Sequence, residues 1–534
     1  MATLVPPPPK RQRREEIART KVQQDVNALL PPDHGSFKAR FIDADGQQMA
    51  DVVEVPIADA SEKNVSLLLN TLLGRDQDEF LPYRFRIHIP TDATDAKDDK
   101  KTPLVVDQYP TDLYALLRSH GIDNPFETTL TLAAEPQAVF RVQSVTRLAH
   151  RIPGHGQSIL AVAFSPAASR LLATGSGDHT ARIWDTETGT PKFTLKKHRG
   201  WVLAVAWSPD GTRLATCSMD GSVIVWDPET GLVVGKELTG HSKPVLALAW
   251  EPYHAMQDGV LQLASASKDG TVRVWAANSG TVQHVLSGHK GSVSCVKWGG
   301  AGYIYSASHD KTVRVWDAAR GTLVHELKAH AHWVNHLALS TDFVLRTGYF
   351  DHLTGGGGAA GAEGIPTTDE AKREKARARY EKAAGAHGTK GERLVSASDD
   401  FTMYLWDPSK TKPVTRMVGH QKAINHVTFS PDGLFVASSS WDNHTKIWRA
   451  HDGSFSSTLR GHVAPVYQCS WSADSRLLVT ASKDATVKVW NVRAAKLAAD
   501  LPHHEDEVYA VEWSPDGQRV ASGSKDKAVR LWRN

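Results

Sequence analysis

Histidine, serine and aspartate recur together along this chain, and those three types in one place are the parts of a hydrolytic triad. His155, Ser176 and Asp178 form the first set, with Trp184 six residues beyond the Asp. The same four types return at eight places. A serine nucleophile needs a sharp turn to raise it, and no G-x-S-x-G elbow stands beside any set. One active site also needs one set rather than eight. No P-loop and no zincin signature occurs either. The run "AHAHWVNH" offers three histidines, but His330 already belongs to the repeating set, which weakens a zinc reading. No intrinsic metal site and no cofactor of the chain's own are expected. Cys217, Cys295 and Cys469 form no C-x-x-C pair and lie in β-like runs, so they read as small strand hydrophobes in a reducing compartment. One more carboxylate stands out. Glu127, in "GIDNPFETTLTL", sits where a turn-like "DNP" gives way to an alternating run, with Asp112 and Asp123 as nearby rivals.

The spacing of the sets defines the elements that hold them. Tryptophan ends a β-like run at 184, 226, 275, 316, 406, 448, 490 and 532. An Asp stands six residues before each Trp and a Ser two before each Asp, with a His upstream. Repeats of about forty residues with this signature resemble WD40 repeats. The resemblance implies one four-stranded blade per repeat and an eight-bladed β-propeller. It also implies that in each blade the Asp accepts from the His, the His meets the Ser, and the Ser reaches the Trp. That is a structural lock, because a half-buried carboxylate is costly unless hydrogen-bonded. The last repeat stops two residues after Trp532, so its fourth strand is expected from about 141–150, closing the ring. An insertion at about 345–392, in the fifth repeat, lies between a blade's first and second strands. It reads as a Gly-rich linker followed by a charged helix capped at Thr368 or Asp369, and is either a mobile surface loop or a docking element.

A propeller's upper face is built from the connections that carry the lock. Candidate contacts there are Lys268, His309, Trp441, Lys483 and Lys525, each just before a lock Asp, and Lys311 and Lys527, each just after one. Trp201 and Trp333 near the start of a blade's first strand, and Tyr467 and Tyr509 two residues further on, complete the set. Exposed aromatics beside lysines suit a surface for protein or RNA; a solvated face is the plainer reading of any single residue.

The chain has 534 residues, enough for several cores, and its net charge is only +3. No apolar run is long enough to span a membrane, and "MATLVPPPPKRQRR" lacks the apolar core of a secretory leader. Lys10, Arg11, Arg13 and Arg14 concentrate basic charge after four prolines, as a nuclear-import signal or a nucleic-acid-binding arm. Residues 1–35 form this extension. Residues 36–135 read strand, strand, helix, strand, strand, helix, strand, with Ser61 capping the first helix, Gly74 ending it, and the second helix at about 111–121. That order matches an α+β ubiquitin-like β-grasp. Residues 136–534 form the all-β propeller. No Gly-Gly ends the first domain, so conjugation is not expected.

This domain order, with "STDF", "SASDDFTMYLW", "SVSCVKWGG" and "KAHAHWVNH", resembles the Notchless family of ribosome-assembly factors over nearly the whole chain. The resemblance implies a nuclear, nucleolar and nucleoplasmic protein acting on the precursor of the large ribosomal subunit (the pre-60S particle, with its rRNA, ribosomal proteins and other assembly factors). It implies that the propeller docks on the particle as a monomer. It implies that the ubiquitin-like domain binds the MIDAS domain of midasin, a giant AAA ATPase whose pulling remodels the particle. It further implies that Glu127 completes the coordination of the partner's Mg²⁺. A different reading is a cytoplasmic signalling or ubiquitin-ligase scaffold; fold alone does not separate the two.

Overall fold

The computed structural model describes residues 36–43, 47–56, 61–75, 80–89, 104–106, 129–136, 141–167, 169–256, 260–352, 366, 368–385 and 391–534. The chain divides into two compact units, Met1–Val139 and Phe140–Asn534.

In the first unit, β1 (Ser36–Ile42) and β2 (Val53–Pro56) pair antiparallel, matching Phe37 to Val55. Helix α1 (Glu62–Leu72) follows, then β3 (Tyr83–Ile89), β4 (Leu104–Val106) and β5 (Thr129–Pro136). The sheet order is β2-β1-β5-β3-β4, with β1 and β5 parallel and Phe41 opposite Leu132. Alternation explains the core: Phe37, Phe41, Phe85, Ile87, Leu130 and Leu132 face inward against Val65 and Leu69 of α1. Ser61 caps α1 by accepting from the Asn64 N–H, and Gly74 ends it in the left-handed region at φ 66°. This is the expected β-grasp order. The second helix expected at about 111–121 lies outside the described residues, as do Asp112, Asp123 and Glu127.

The second unit contains eight sheets arranged as blades. Their innermost strands, a, are Ile159–Phe164, Val202–Trp207, Val245–Trp250, Val293–Trp298, Val334–Leu339, Ile424–Phe429, Val466–Trp471 and Val508–Trp513. Each packs beside the next, and the eighth packs beside the first, so the ring is closed. Seven sheets have four strands; blade 2 has three, its outer edge reduced to bridges at Val233 and Leu238. Every strand a bulges once against strand b, at 160, 203, 246, 294, 335, 425, 467 and 509.

Blade 8 takes its outer strand from the other end of the chain. β6 (Arg147–Pro153) pairs antiparallel with Ala528–Arg533. This closing strand starts and ends later than the 141–150 read from sequence. Residues 141–146 are not strand. Val142 and Val145 are buried among blades 7 and 8, and the Val142 N–H donates to Asp474 at 2.8 Å. Their apolar side chains gave the sequence pattern a strand-like look while being used as an anchor.

The insertion is not a free surface loop where it is described. Helix α2 (Asp342–Thr347) follows strand a of blade 5, and α3 (Asp369–Ala384) packs on the propeller. Thr368 caps α3, accepting from the Ala371 N–H. Ala376 joins the core of blades 2 and 3, and Tyr380 stacks on His254 at 4.8 Å. Gly300 lies so close to Tyr380 that a Cβ there would sit 2.2 Å from the ring, so only glycine fits. The Gly-rich stretch at 353–365 is outside the described residues.

Candidate docking face

The eight locks fix the connections at one end of the ring, here the upper end. Their wiring differs in one respect from the sequence expectation. In blade 1 the His155 Nδ1 lies 2.9 Å from Asp178, but its Nε2 meets Thr174 at 2.8 Å, not Ser176. Trp184 Nε1 donates to the same Thr174 hydroxyl at 2.8 Å. The hydroxyl four residues before the Asp serves in every blade: Thr174, Thr216, Ser265, Ser306, Ser396, Ser438, Thr480 and Ser522. The register gives the reason. Trp184 pairs with Leu172, so the diagonal neighbour on its own face is Thr174, while Ser176 lies a further pair away. Ser176 instead accepts from the Asp178 N–H at 3.2 Å and donates to the Gln157 carbonyl, holding the turn. Blade 2 departs again: His198 Nδ1 meets Ser222 at 2.9 Å, and Asp220 is 3.6 Å away.

The lock also fixes a protonation state. Indole can only donate, so the hydroxyl accepts from it, and in seven blades Nδ1 faces the carboxylate, which suits an Nδ1–H donor with Nε2 accepting from the hydroxyl. His241, His420 and His504 are neutral at pH 7. Burial lowers the pKa of His241, His420 and His504 despite the facing Asp. Burial alone would raise Asp269, Asp442 and Asp526, but hydrogen bonds from the turn and the His outweigh it and hold each at about 2. In blade 1 both carboxylate oxygens of Asp178, both ring nitrogens of His155 and the Thr174 hydroxyl are engaged within the lock.

Two aromatic groups stand on this face. Over blades 6 to 8, Trp441 (39% exposed) meets Tyr467 edge-on at 5.9 Å, and Tyr467 meets Tyr509 at 5.5 Å. Trp441 Nε1 donates to Asn425 Oδ1 at 2.5 Å. Tyr467 donates to Glu507 at 3.0 Å; burial and that carboxylate raise its pKa. Lys525 reaches Asp506 at 3.3 Å, and Lys483 reaches Glu507 at 3.9 Å. These two lysines, expected as contact cations, are therefore already neutralised. Over blades 4 and 5, Trp333 (46% exposed) stacks on His309, centroids 4.6 Å apart and planes 9° apart. Lys268 of blade 3, which interacts electrostatically with His309, and Lys311, which follows the lock Asp of blade 4, are exposed and have no ion pair among the described residues. Trp201 is exposed on blade 2, and Lys527 occupies the turn of blade 8 at φ 67°. Sequence reading missed Asp506, Glu507, Asn335 and His332. Glu507 and Asn335 lie in the slots that supplied Trp333 and Tyr509, and Asp506 and His332 lie one residue ahead of them, so reading every residue at and just before those slots would have found all four.

The comparisons with known proteins bear on this face and on the whole chain. The model of the WD domain, G-beta repeat, matches residues 146–185, 189–227, 233–276, 280–317, 411–449, 453–491 and 495–533. Ribosome assembly protein 4 of Chaetomium thermophilum is 66% identical over 85% of this chain and 85% of its own length. Ribosome assembly protein 4 of Saccharomyces cerevisiae is 50% identical over 86% and 85%. Protein Notchless of Drosophila melanogaster is 42% identical over 78% and 79%. The chain belongs to the Notchless and ribosome assembly protein 4 family. The crystal structure of the computationally designed Ika8 protein superposes with a TM-score of 0.55 at 23% identity, over 72% of this chain and 98% of that one, a likeness of fold alone. The family model passes over the fifth repeat, where the insertion interrupts the pattern, but the blade is formed there all the same.

In this Notchless-family chain the lower mouth of the ring is crossed by the insertion. Asp342 of α2 binds Lys297 of blade 4 at 3.1 Å and accepts from the Leu339 N–H. Arg346 of α2 donates to Glu512 of blade 8, which also accepts from the Phe164 N–H of blade 1. His352 lies 2.9 Å from the Pro166 carbonyl. The three cysteines are buried, and burial pushes the Cys217 and Cys469 thiols up to about 12. Among the described residues no cluster of three His, Cys, Asp or Glu side chains is placed to hold a metal ion.

Proposed function

We propose that this chain is a non-catalytic assembly factor for the precursor of the large ribosomal subunit. The observation that carries the reading is the identity with ribosome assembly protein 4 across the length of both chains. The propeller docks on the particle by its upper face. The ubiquitin-like unit offers Glu127 to the Mg²⁺ of the MIDAS domain of midasin, whose ATP-driven pull then remodels the particle. Mg²⁺ favours oxygen ligands in near-octahedral order, so a partner site short of one ligand selects a carboxylate supplied from outside. Glu127 stands two residues ahead of β5, the strand at the centre of its sheet. The setting is the nucleus, with the nucleolus and nucleoplasm as the places of assembly, and the basic Lys10, Arg11, Arg13 and Arg14 fit import. Engagement of the lock groups with one another supports a role without catalysis.

Two measurements test this. Glu127→Ala should abolish Mg²⁺-dependent capture by a purified MIDAS domain while leaving the unfolding temperature unchanged, and EDTA should abolish wild-type capture. Binding that survives EDTA or the substitution would remove the metal role. On a sucrose gradient the chain should travel with large-subunit precursors. Confinement to light, ribosome-free fractions would instead favour the signalling or ubiquitin-ligase scaffold.

A further inference from the structure

The two aromatic groups of the upper face have opposite electrostatic surroundings. Around Trp441 and Tyr467, carboxylates take up the nearby lysines, and the Trp441 N–H is already spent on Asn425. A phosphate would be repelled there. Around Trp333 the balance is reversed. Lys243 and Lys268 sit on adjoining loops of blade 3, joined by the Ser267 hydroxyl donating to the Lys243 carbonyl and by the Lys268 N–H donating to Pro244. Lys290 and Lys311 flank the lock of blade 4, where the Lys290 N–H donates to Asp310. All four lysines are exposed, and none has an ion pair among the described residues. A nearby carboxylate, Asp399, accepts from Asn335 at 2.6 Å and lies 3.7 Å from His332 Nδ1.

The indole is held for stacking. The Asp399 N–H donates to the Trp333 carbonyl and fixes the backbone, and the His309 ring backs one face of the indole in parallel. His332 approaches at 5.2 Å and a 47° tilt. A large flat ring with a rigid backing and an accessible side gains little by remaining in water. Its natural occupant is another flat ring. Flat rings carried on a backbone of negative charges, met by lysines without partners, describe a nucleic acid whose bases are not paired.

We propose that the upper edge of blades 3 to 5 binds single-stranded RNA, with one unpaired base stacked on Trp333 and the flanking phosphates on Lys243, Lys268, Lys290 and Lys311. The choice of RNA rests on the reading that the chain docks on a ribosomal precursor. Trp333 supplies the stacking surface, His309 positions it, and the lysines supply attraction without sequence preference. The Trp441 group is left for a partner without phosphate charge.

The test uses the full chain and a fluorescent single-stranded RNA of about twelve nucleotides, a length suited to a one-base stack with flanking phosphates. The same RNA as a duplex is the comparator. Binding is read by anisotropy and by quenching of tryptophan emission, in the wild type and in a background with Lys10, Arg11, Arg13 and Arg14 changed to Gln, which removes any contribution of the basic arm. Trp333→Ala should weaken binding about tenfold and remove most of the quenching, in line with the loss of one stacked base. Trp333→Phe should restore affinity to within about threefold, since a smaller ring still stacks. Lys268→Gln with Lys311→Gln should lower the slope of log affinity against log salt by about 1.4, at about 0.7 per phosphate contact on a single strand. Trp441→Ala should change neither readout. No preference for single strand over duplex, or equal affinity of Trp333→Ala and wild type, would overturn the proposal. Cosedimentation with ribosomal precursors is scored separately. A chain that travels with the particle while Trp333→Ala binds RNA normally refutes this site and leaves the proposed function standing.

Discussion

The lock shows how one hydroxyl can be worth more than its neighbour two residues away. Thr174 and Ser176 are both fully buried on one strand. Thr174 is the only partner of Trp184 Nε1 and of His155 Nε2, deep between strands. Ser176 serves a turn where water can reach the released groups. Thr174→Val should therefore destabilise the propeller by about 1–3 kcal/mol, the cost of buried groups left without partners, and Ser176→Ala by about 1 kcal/mol. Chemical denaturation followed by tryptophan emission measures both, and the reverse order would contradict this wiring. The same locks make stability depend on pH. The lowered pKa of His241, His420 and His504 means that the unfolded chain takes up protons first as pH falls through about 6.5. Stability then drops, because each folded imidazole must stay neutral. Asp269, Asp442 and Asp526, held at about 2, add stability above their ordinary value of 3.8 that is lost as pH falls from there towards 2. Both effects have the same sign. The unfolding temperature should fall continuously from pH 7 to pH 3, and a rise between pH 7 and pH 5 would count against the neutral-histidine assignment.

At the level of elements, β6 decides whether the ring is closed. Without it, Ala528–Arg533 would be an exposed edge beside a core that also loses Ile152. Deleting residues 140–153 should lower the unfolding temperature by about 10 °C or more or cause aggregation, since several buried side chains and a full ladder are lost together. A chain starting at Phe140 should unfold as the intact propeller does. Light scattering and thermal melts of the two truncations distinguish these outcomes. The insertion shows why element boundaries are hard to read from sequence. The charges of α3 look like a solvated helix, yet Ala376 and Ala384 are buried, Tyr380 stacks on His254, and two of the charged residues, Lys372 and Arg379, are turned onto Tyr349 and the Gly348 carbonyl. Such a face produces no apolar stripe to notice.

For the whole molecule, most of the fold was legible because it is repeated. Trp184 and its seven counterparts recur at intervals of 41 to 49 residues, apart from the 90 between Trp316 and Trp406 that hold the insertion, and alternating strands between them can do little else but form blades. The β-grasp order was legible from Phe37, Phe41, Phe85 and Leu132 alternating with polar residues. What sequence could not supply was pairing in space. It named Trp333, Lys268 and Lys483 as equals, whereas their charge partners come from separate loops: Glu507 takes Lys483, and nothing described takes Lys268. The lock hydroxyl was misplaced for the same reason, since register across a hairpin decides which of two nearby hydroxyls the indole reaches.

The anchoring of residues 141–146 has a mechanical consequence. Any tension carried along the chain from the first unit reaches the propeller through this segment before it reaches β6. The Val142 bond to Asp474 and the buried Val142 and Val145 side chains would have to give way first. A load arriving there is spread over blades 7 and 8 and spares the hydrogen bonds of the closing strand from being opened one by one. The ring is tethered ahead of its own seam.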